Sequence, residues 1–207
     1  MKGIRLSTFA LLVLAVPGAA SAQIAWEAPL LVSPNAPAGL SFMVAEMEPS
    51  EGLAGIVAWR ARSAPGGFGL RGGVGEGVGG DLAGFAGLDF SGWILQADAE
   101  FPLNIAWVTG AGIGAGNYVV LSAPLGASFS YTVVSDDIWF NPYVTPYLIL
   151  SGALGDERPS GDDNLDLGIA VDIGADLAFS SSWAIRFAAS LGDRQALAIG
   201  LHVPGVG

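Results

Sequence analysis

Hydrophobic and polar residues alternate with a period of two through much of the second half of the chain. The alternation is unbroken over residues 165–179, where aliphatic and aromatic residues hold the odd positions and Asp, Gly or Ala the even ones. This pattern predicts a β-strand with one apolar and one small or polar face. A soluble strand typically has about 5–6 residues, whereas a tilted membrane-spanning strand needs about 9–11. The length of this segment therefore favours a membrane strand.

Other segments repeat the pattern, so we predict a wall of such strands. Clear alternation covers residues 119–133, 137–151, 183–191 and 197–203, and weaker alternation covers 40–47, 53–62, 68–75, 82–90 and 103–113. Within 137–151, Pro142 and Pro146 each remove a hydrogen-bond donor, so we expect a bulge or a shortened ladder there. The count is ten strands, and eight remain possible if the hairpin around Glu48 to Gly52 lies outside the wall.

Composition favours a barrel over membrane helices. The chain is 52% hydrophobic with a mean hydropathy of +0.54, yet it contains 31 glycines among 207 residues. Glycine costs about 1 kcal/mol relative to alanine inside a helix. A strand-forming chain crosses lipid only as a closed barrel, because every backbone polar group there must be paired. We predict an all-β, up-and-down antiparallel transmembrane β-barrel.

The N-terminus has the features of a secretory signal peptide. Lys2 and Arg5 precede a short apolar run that ends at Ala20-Ser21-Ala22, a typical cleavage site. We therefore predict a signal peptide over 1–22, a periplasmic lead-in over 23–38 and the barrel over 39–204. An even number of strands returns both barrel ends to the periplasm. It places the acidic segment 155–164 outside the cell and the turn 180–182 inside, while the long periplasmic connection 92–102 has no evident explanation.

The signal peptide, the repeat over 103–204 and the closing strand 195–203 together resemble the small outer-membrane β-barrel families grouped with the OmpA transmembrane domain and the opacity-type surface proteins. The closing strand differs from those families because Pro204 follows it in place of a terminal aromatic residue. The resemblance implies the outer membrane of a diderm bacterium. It also implies contact with outer-membrane lipid and lipopolysaccharide, and with the barrel-insertion machinery.

Candidate catalytic or cofactor-binding chemistry is sparse in this sequence. His202 is the single histidine and is predicted at the periplasmic rim, and no G-x-S-x-G motif occurs, so an outer-membrane hydrolase is the least favoured hypothesis. The G-x-G-x-x-G match at Gly67, Gly69 and Gly72 lacks the following helix that a dinucleotide site requires. With 8 Lys+Arg against 19 Asp+Glu, no basic surface would bind nucleic acid. We expect no enzymatic activity and no cofactor.

One short acidic segment is a weak metal candidate. Asp162, Asn164 and Asp166 are spaced like the start of a calcium loop, but the expected glycine comes one position late and no distal glutamate follows. A solvated acidic loop that leads into a strand is the simpler interpretation.

The predicted inward face carries charges of both signs. Charges inside a narrow barrel are costly unless they are paired, so the sequence predicts lumen ion pairs. We predict a lumen plugged by these pairs, in a protein with an envelope-structural or surface-interaction role; the alternative is a narrow, porin-like diffusion pore lined by the same charges. The predicted inward charges are Arg60, Arg62, Arg71, Arg186, Asp89, Asp166, Asp172 and Asp176.

Overall fold

A computed structural model describes residues 33, 36–47, 52–61, 66–77, 82–116, 118–136, 138–154, 165–179 and 183–205. The strands are β1 Gly39–Met47, β2 Gly52–Arg60, β3 Gly66–Glu76, β4 Leu82–Leu95, β5 Asn104–Ala115, β6 Val119–Ser130, β7 Val133–Ser135, β8 Ile138–Leu154, β9 Leu165–Phe179, β10 Trp183–Gly192 and β11 Ala196–Pro204. In these ranges no helix is long and apolar enough to cross a membrane. The predicted signal peptide 1–22 and the acidic segment 155–164 lie outside the described residues.

The strands form one closed antiparallel barrel. Each wall strand pairs with the next along the chain, and β1 pairs with β11 to close the sheet. The short β7 continues β6 along β8, because Ser130 lies opposite Tyr143 and Val133 opposite Phe140 in a single register. The wall therefore has ten strands, as the alternation predicts. The eight-strand alternative is wrong, because the hairpin β1–β2 is part of the wall.

Both ends of the barrel wall lie at one rim. Gly39 at the start of β1 pairs with Pro204 at the end of β11, and we call this the terminal rim. The other end of the same two strands, where Met47 pairs with Ala196, is the opposite rim. Because the strand number is even, the chain enters and leaves the wall on the same side.

The connection between β4 and β5 lies at the terminal rim and is shorter than the sequence predicts. β4 continues to Leu95, whereas alternation marks it only to residue 90. In the remaining connection, the Asp98 side chain accepts hydrogen bonds from the backbone N–H groups of Glu100, at 2.9 Å, and Phe101, at 2.7 Å. Asp98 thus forms the turn that reverses the chain.

The two faces of the wall differ as the period of two predicts. On β9, Ile169 and Ile173 point outward and are exposed, whereas Ala170, Asp172 and Asp176 point into the lumen and are buried. The inward residues of β8 are mainly polar, with Ile149 as a buried apolar exception, and its outward residues are mainly aliphatic or aromatic. An outward band of large apolar side chains is the face that a transmembrane barrel presents to lipid.

Aromatic side chains gather on the outer face near the terminal rim. The Trp59 and Phe68 ring centroids are 6.2 Å apart, Phe68 and Phe90 are 5.2 Å apart, and Phe179 stacks on Trp183 at 4.9 Å. These residues lie at or near the strand ends that meet this rim. Aromatic rings favour the boundary between hydrocarbon and water, so they indicate that one membrane interface lies at this level.

Backbone pairing is incomplete on both sides of β6. Toward β5, paired residues stop at Leu125 and resume at Ser122, a gap that contains Pro124. Toward β8, they stop at Gly126 and resume at Phe129, opposite a gap that contains Pro146. The register is the same on both sides of each gap, so the ladder is shortened without a bulge. We call β6 with these two gaps the β6 seam.

The prolines account for the seam. Proline has no N–H to donate to a neighbouring strand. The carbonyl oxygen of Pro124 accepts a hydrogen bond from the Thr109 hydroxyl at 3.0 Å. Pro142 and Pro146 keep their places in the ladder between β8 and β9, which runs without a register shift. The pairing that is lost at the β8 prolines is therefore the pairing with β6, and not the pairing with β9.

Candidate functional site

The lumen near the terminal rim contains a first ion-pair cluster. The Arg60 guanidinium donates to the Asp89 carboxylate at 2.6 Å, spanning β3, and Arg71 lies 3.7 Å from the other carboxylate oxygen. A Cβ placed on Gly67 would overlap the Arg60 guanidinium, and one on Gly69 would overlap the Asp89 carboxylate. These two glycines of the G-x-G-x-x-G match therefore make room for an ion pair.

A second cluster joins β9, β10, β1 and β11. The Arg186 guanidinium binds both carboxylate oxygens of Asp176, at 2.6 and 3.1 Å, and donates to Ser41 Oγ at 2.6 Å. Ser41 Oγ lies 3.0 Å from His202 Nδ1. Because arginine can only donate, the Ser41 oxygen accepts from Arg186, and its own proton is available for His202.

This contact explains the lone histidine. Ser41 and His202 are 2% and 1% exposed, so neither presents a free group to solvent. The serine oxygen already accepts a charge-assisted hydrogen bond, which draws electron density away from a would-be nucleophile. The pair therefore has the features of a buried polar contact that orients His202. Sequence reasoning did not identify Ser41 as the partner, because the two residues are 161 positions apart.

A third set of contacts fills the middle of the lumen. The Tyr147 hydroxyl donates to Asp172 Oδ1 at 2.9 Å and lies 3.0 Å from Ser190 Oγ. The Thr145 hydroxyl donates to Ser128 Oγ at 2.9 Å, which links β8 to β6. The Arg71 guanidinium of β3 also interacts electrostatically with Asp172 of β9. Since these two strands are on opposite sides of the ten-stranded wall, this interaction spans the lumen.

On β1, β2 and β4, the inward side chains nearer the opposite rim are apolar. In β1 the inward sequence passes from Ser41 to methionines, and in β2 it passes from Arg60 to Ile56. β4 shows the same order, with Asp89 nearer the terminal rim and Phe85 nearer the opposite rim. The buried residues of this apolar cluster are Met43, Ala45, Met47, Ala54, Ile56, Ala58, Ala83, Phe85, Ala188 and Ala198.

Glycine allows the largest of these side chains to fit. The Phe85 ring lies across Gly73 of β3, where an added Cβ would come within 2.5 Å of the ring. In the polar part of the lumen, Tyr143 lies across Gly174 in the same way, 2.6 Å from the position of an added Cβ. These glycines thus serve lumen packing, which composition alone does not reveal.

The packing leaves side chains in the middle of the lumen with almost no access to solvent. Arg186 and Thr145 are 1% exposed and Asp172 is 0% exposed, although all three point into the barrel. A water-filled channel would expose the side chains that line it. The space between Arg60, Arg71 and Arg186 is a cavity of about 10 Å³, about enough for one water molecule.

The buried lumen charges balance within the described part of the wall. Three arginines meet three aspartates, and two of the aspartates bind arginine directly. The third, Asp172, is held by Tyr147 and by its interaction with Arg71. The arginines are Arg60, Arg71 and Arg186, and the aspartates are Asp89, Asp172 and Asp176.

The remaining predicted site residues do not join this network. Asp166 is exposed at the opposite rim, across from Ser151, and no ion pair to it occurs among the described residues. Arg62, Asp162 and Asn164 lie outside the described residues. In the part of the chain that the structure covers, no group of three or more His, Asp or Glu side chains could hold a metal ion.

Comparisons with known proteins give only low structural similarity. No protein-family model matches the chain, and no curated protein is similar to it in sequence. A KdgM porin in complex with disordered oligogalacturonate is 12% identical with a TM-score of 0.42, and another KdgM porin structure is 10% identical with a TM-score of 0.37; each comparison covers 81% of this chain and 99% of the other. A de novo designed transmembrane β-barrel is 16% identical with a TM-score of 0.33, over 83% of this chain and 98% of the design. The fold itself follows from the strand pairing: the chain is a closed ten-stranded antiparallel β-barrel of the transmembrane type.

Proposed function

We propose that this chain is a non-enzymatic outer-membrane β-barrel protein of a diderm bacterium, with a lumen closed by its own side chains. It serves the structure of the envelope or interactions at its surface, and does not conduct solutes. The observation that carries the proposal is the near-complete burial of Arg186, Asp172 and Thr145 in mid-lumen. In a barrel of this size, side chains are able to fill the interior.

Along β1, β2 and β4, the closed lumen has two consecutive barriers. A solute that entered from the terminal rim would first have to separate ion pairs such as Arg186–Asp176. Removing one partner of such a buried pair costs about 3–5 kcal/mol, because the other charge is left buried and unpaired. It would then meet the apolar cluster around Met47 and Phe85, which offers an ion no polar partner.

The outer surface provides the contacts that this function requires. The outward aliphatic residues form the band that outer-membrane lipid would cover, and the aromatic residues mark one of its edges. We place the terminal rim on the periplasmic side, so that the opposite rim meets lipopolysaccharide. The barrel-insertion machinery is the expected assembly partner.

Conductance tests this proposal directly. Barrel folded in detergent, checked by heat-modifiable gel migration, is added to a planar bilayer. The wild type should give no stable current, while insertion is verified in parallel by protection from protease in liposomes. Steady channels of uniform size would contradict the closed lumen and would support the diffusion pore instead.

A further inference from the structure

The hairpin β7–β8 exposes apolar side chains on the lumen side of the wall at the terminal rim. Val134 pairs with Trp139, and Trp139 pairs with Ala178. The same row of paired residues continues through Ala184 to His202, whose buried side chains point into the lumen. Directly paired residues point to the same face of a sheet, so Val134 and Trp139 also face the barrel axis.

Burial changes abruptly along this row. Ala184 and His202 are 0% and 1% exposed, whereas Trp139 and Val134 are 57% and 59% exposed. The lipid that covers the outward face of a transmembrane barrel does not contact side chains that face the axis. An exposed apolar patch in such a place indicates an interaction site, so another segment or another molecule is expected to cover these two side chains.

The N-terminal lead-in enters the barrel at this same rim. It joins the wall at Gly39, and the Ala38 carbonyl oxygen accepts a hydrogen bond from the Gly205 N–H at 3.3 Å. Ser33 and Ala36 are 0% and 7% exposed, and the Ala36 N–H donates to the Ser33 carbonyl oxygen at 2.9 Å. This part of the lead-in is therefore packed against the protein and does not extend away from the rim.

The preceding residues, 24–32, lie outside the described residues, but their sequence and reach suit the exposed hairpin. Eight of these nine residues are apolar, and the exception is Glu27. Ten strands about 4.8 Å apart and tilted by about 40° enclose a mouth about 20 Å across. At about 3.3 Å per residue, residues 24–38 extend up to about 50 Å, which is enough to cross this mouth.

We propose that residues 24–32 cross the mouth at the terminal rim and pack their apolar side chains on Val134 and Trp139. Because this segment is covalently joined to β1 at the same rim, its effective concentration at the hairpin is high without any separate partner. The buried turn at Ser33 and Ala36 supports this arrangement, since the adjoining part of the lead-in already packs against the protein. The inference goes beyond the proposed function and depends on neither the membrane orientation nor the closed lumen.

Thiol crosslinking measures this contact, because the chain has no native cysteine. Ala28→Cys is combined with Thr132→Cys, whose position is exposed and lies on the inward side of the hairpin beside Asn141. The matched control combines Ala28→Cys with Ala99→Cys, which is also exposed and lies nearer to β1 around the wall. The folded barrel is treated with a short bis-maleimide, and peptide mass spectrometry quantifies the products. The first pair should give at least about fivefold more intramolecular product, because docking raises the effective concentration of its two thiols.

Two substitutions keep the test decisive. Trp139→Ser removes the larger exposed side chain and should lower the product at Thr132→Cys to the level at Ala99→Cys. Trp183→Ser removes a tryptophan of the same rim that is 42% exposed on the outward face, and it should leave the product unchanged. Heat-modifiable migration establishes that each variant is folded, so a failure of the barrel proposal is seen separately. Equal product for the two cysteine pairs, product that survives Trp139→Ser, or crosslinking only between copies of the chain would overturn the inference.

Discussion

Charged and hydrogen-bonded side chains fill the lumen toward the terminal rim and across to β8 and β9, whereas methionine, isoleucine, phenylalanine and alanine fill the part toward the opposite rim that β1, β2 and β4 bound. The polar contacts are directional, so each depends on a specific partner at a specific distance. The apolar contacts are non-directional and depend on volume. The two halves should therefore fail differently: a damaged polar half attracts water, while a damaged apolar half leaves a dry void.

The largest effect is expected in the polar half, from Arg186→Ala. Asp176 is 3% exposed, and the change leaves it buried without its bidentate partner. The change also removes the donor to Ser41. Loss of one partner of a buried pair costs about 3–5 kcal/mol, and a hydrated lumen would reduce this value. Urea unfolding in detergent micelles should show the loss, and planar bilayers should show intermittent current.

The matched control for this change removes both charges. Arg186→Met combined with Asp176→Leu eliminates the unpaired carboxylate and replaces it with apolar volume. Because paired charges are often replaceable by packed apolar groups, the double variant should recover most of the stability and lose the current. If it conducts like Arg186→Ala, unpaired charge is not the cause of opening.

The apolar half should respond to Met47→Ala with a smaller loss of stability and no current. Met47 is 2% exposed and packs in the apolar cluster near the opposite rim. Truncation of a buried methionine to alanine costs about 2–5 kcal/mol, and we expect the low end because the rim is able to relax. Current through Met47→Ala as large as that through Arg186→Ala would remove the distinction between the two halves.

The smallest effect concerns the fit between glycine and a large side chain. Gly73→Ala should cost about 1–2 kcal/mol, because its Cβ would meet both the Phe85 ring and the Gly55 carbonyl oxygen at 2.5 Å. The double variant Gly73→Ala with Phe85→Leu has a smaller side chain facing the new methyl group. It should recover part of the lost stability in the same unfolding assay. If the stability losses of the two single changes simply add in the double variant, the contact with the Gly55 carbonyl oxygen, and not the Phe85 ring, causes the loss at Gly73→Ala.

The fold was predictable because alternation is a local property. A strand such as β9 shows its lipid face and its lumen face within a few residues, so the count of ten strands and the facing of Asp172 and Asp176 could be predicted. Eight strands stayed possible until the structure placed the hairpin β1–β2 in the wall. Boundaries were less predictable: β4 runs on to Leu95 past the clear alternation, because its end is set by the turn at Asp98.

The partners inside the lumen were not predictable for a related reason. Alternation places Tyr147 and Ser190 on the inward face, but their contact depends on the registers of β8, β9 and β10 together. The same applies to Ser41 and His202, which meet only because β1 closes onto β11. Such contacts depend on tertiary geometry, which a period of two does not specify.

The balance of buried lumen charge has an electrical consequence. A voltage across a membrane acts on net charge, with an energy of about 2.3 kcal/mol per elementary charge per 100 mV. In the described lumen, three buried arginines are matched by three buried aspartates, so the opposing forces on these side chains cancel. The arginines are Arg60, Arg71 and Arg186, and the aspartates are Asp89, Asp172 and Asp176. A Donnan potential across the outer membrane would therefore exert almost no net pull on this interior, and the barrel should stay electrically silent as the external ionic strength changes.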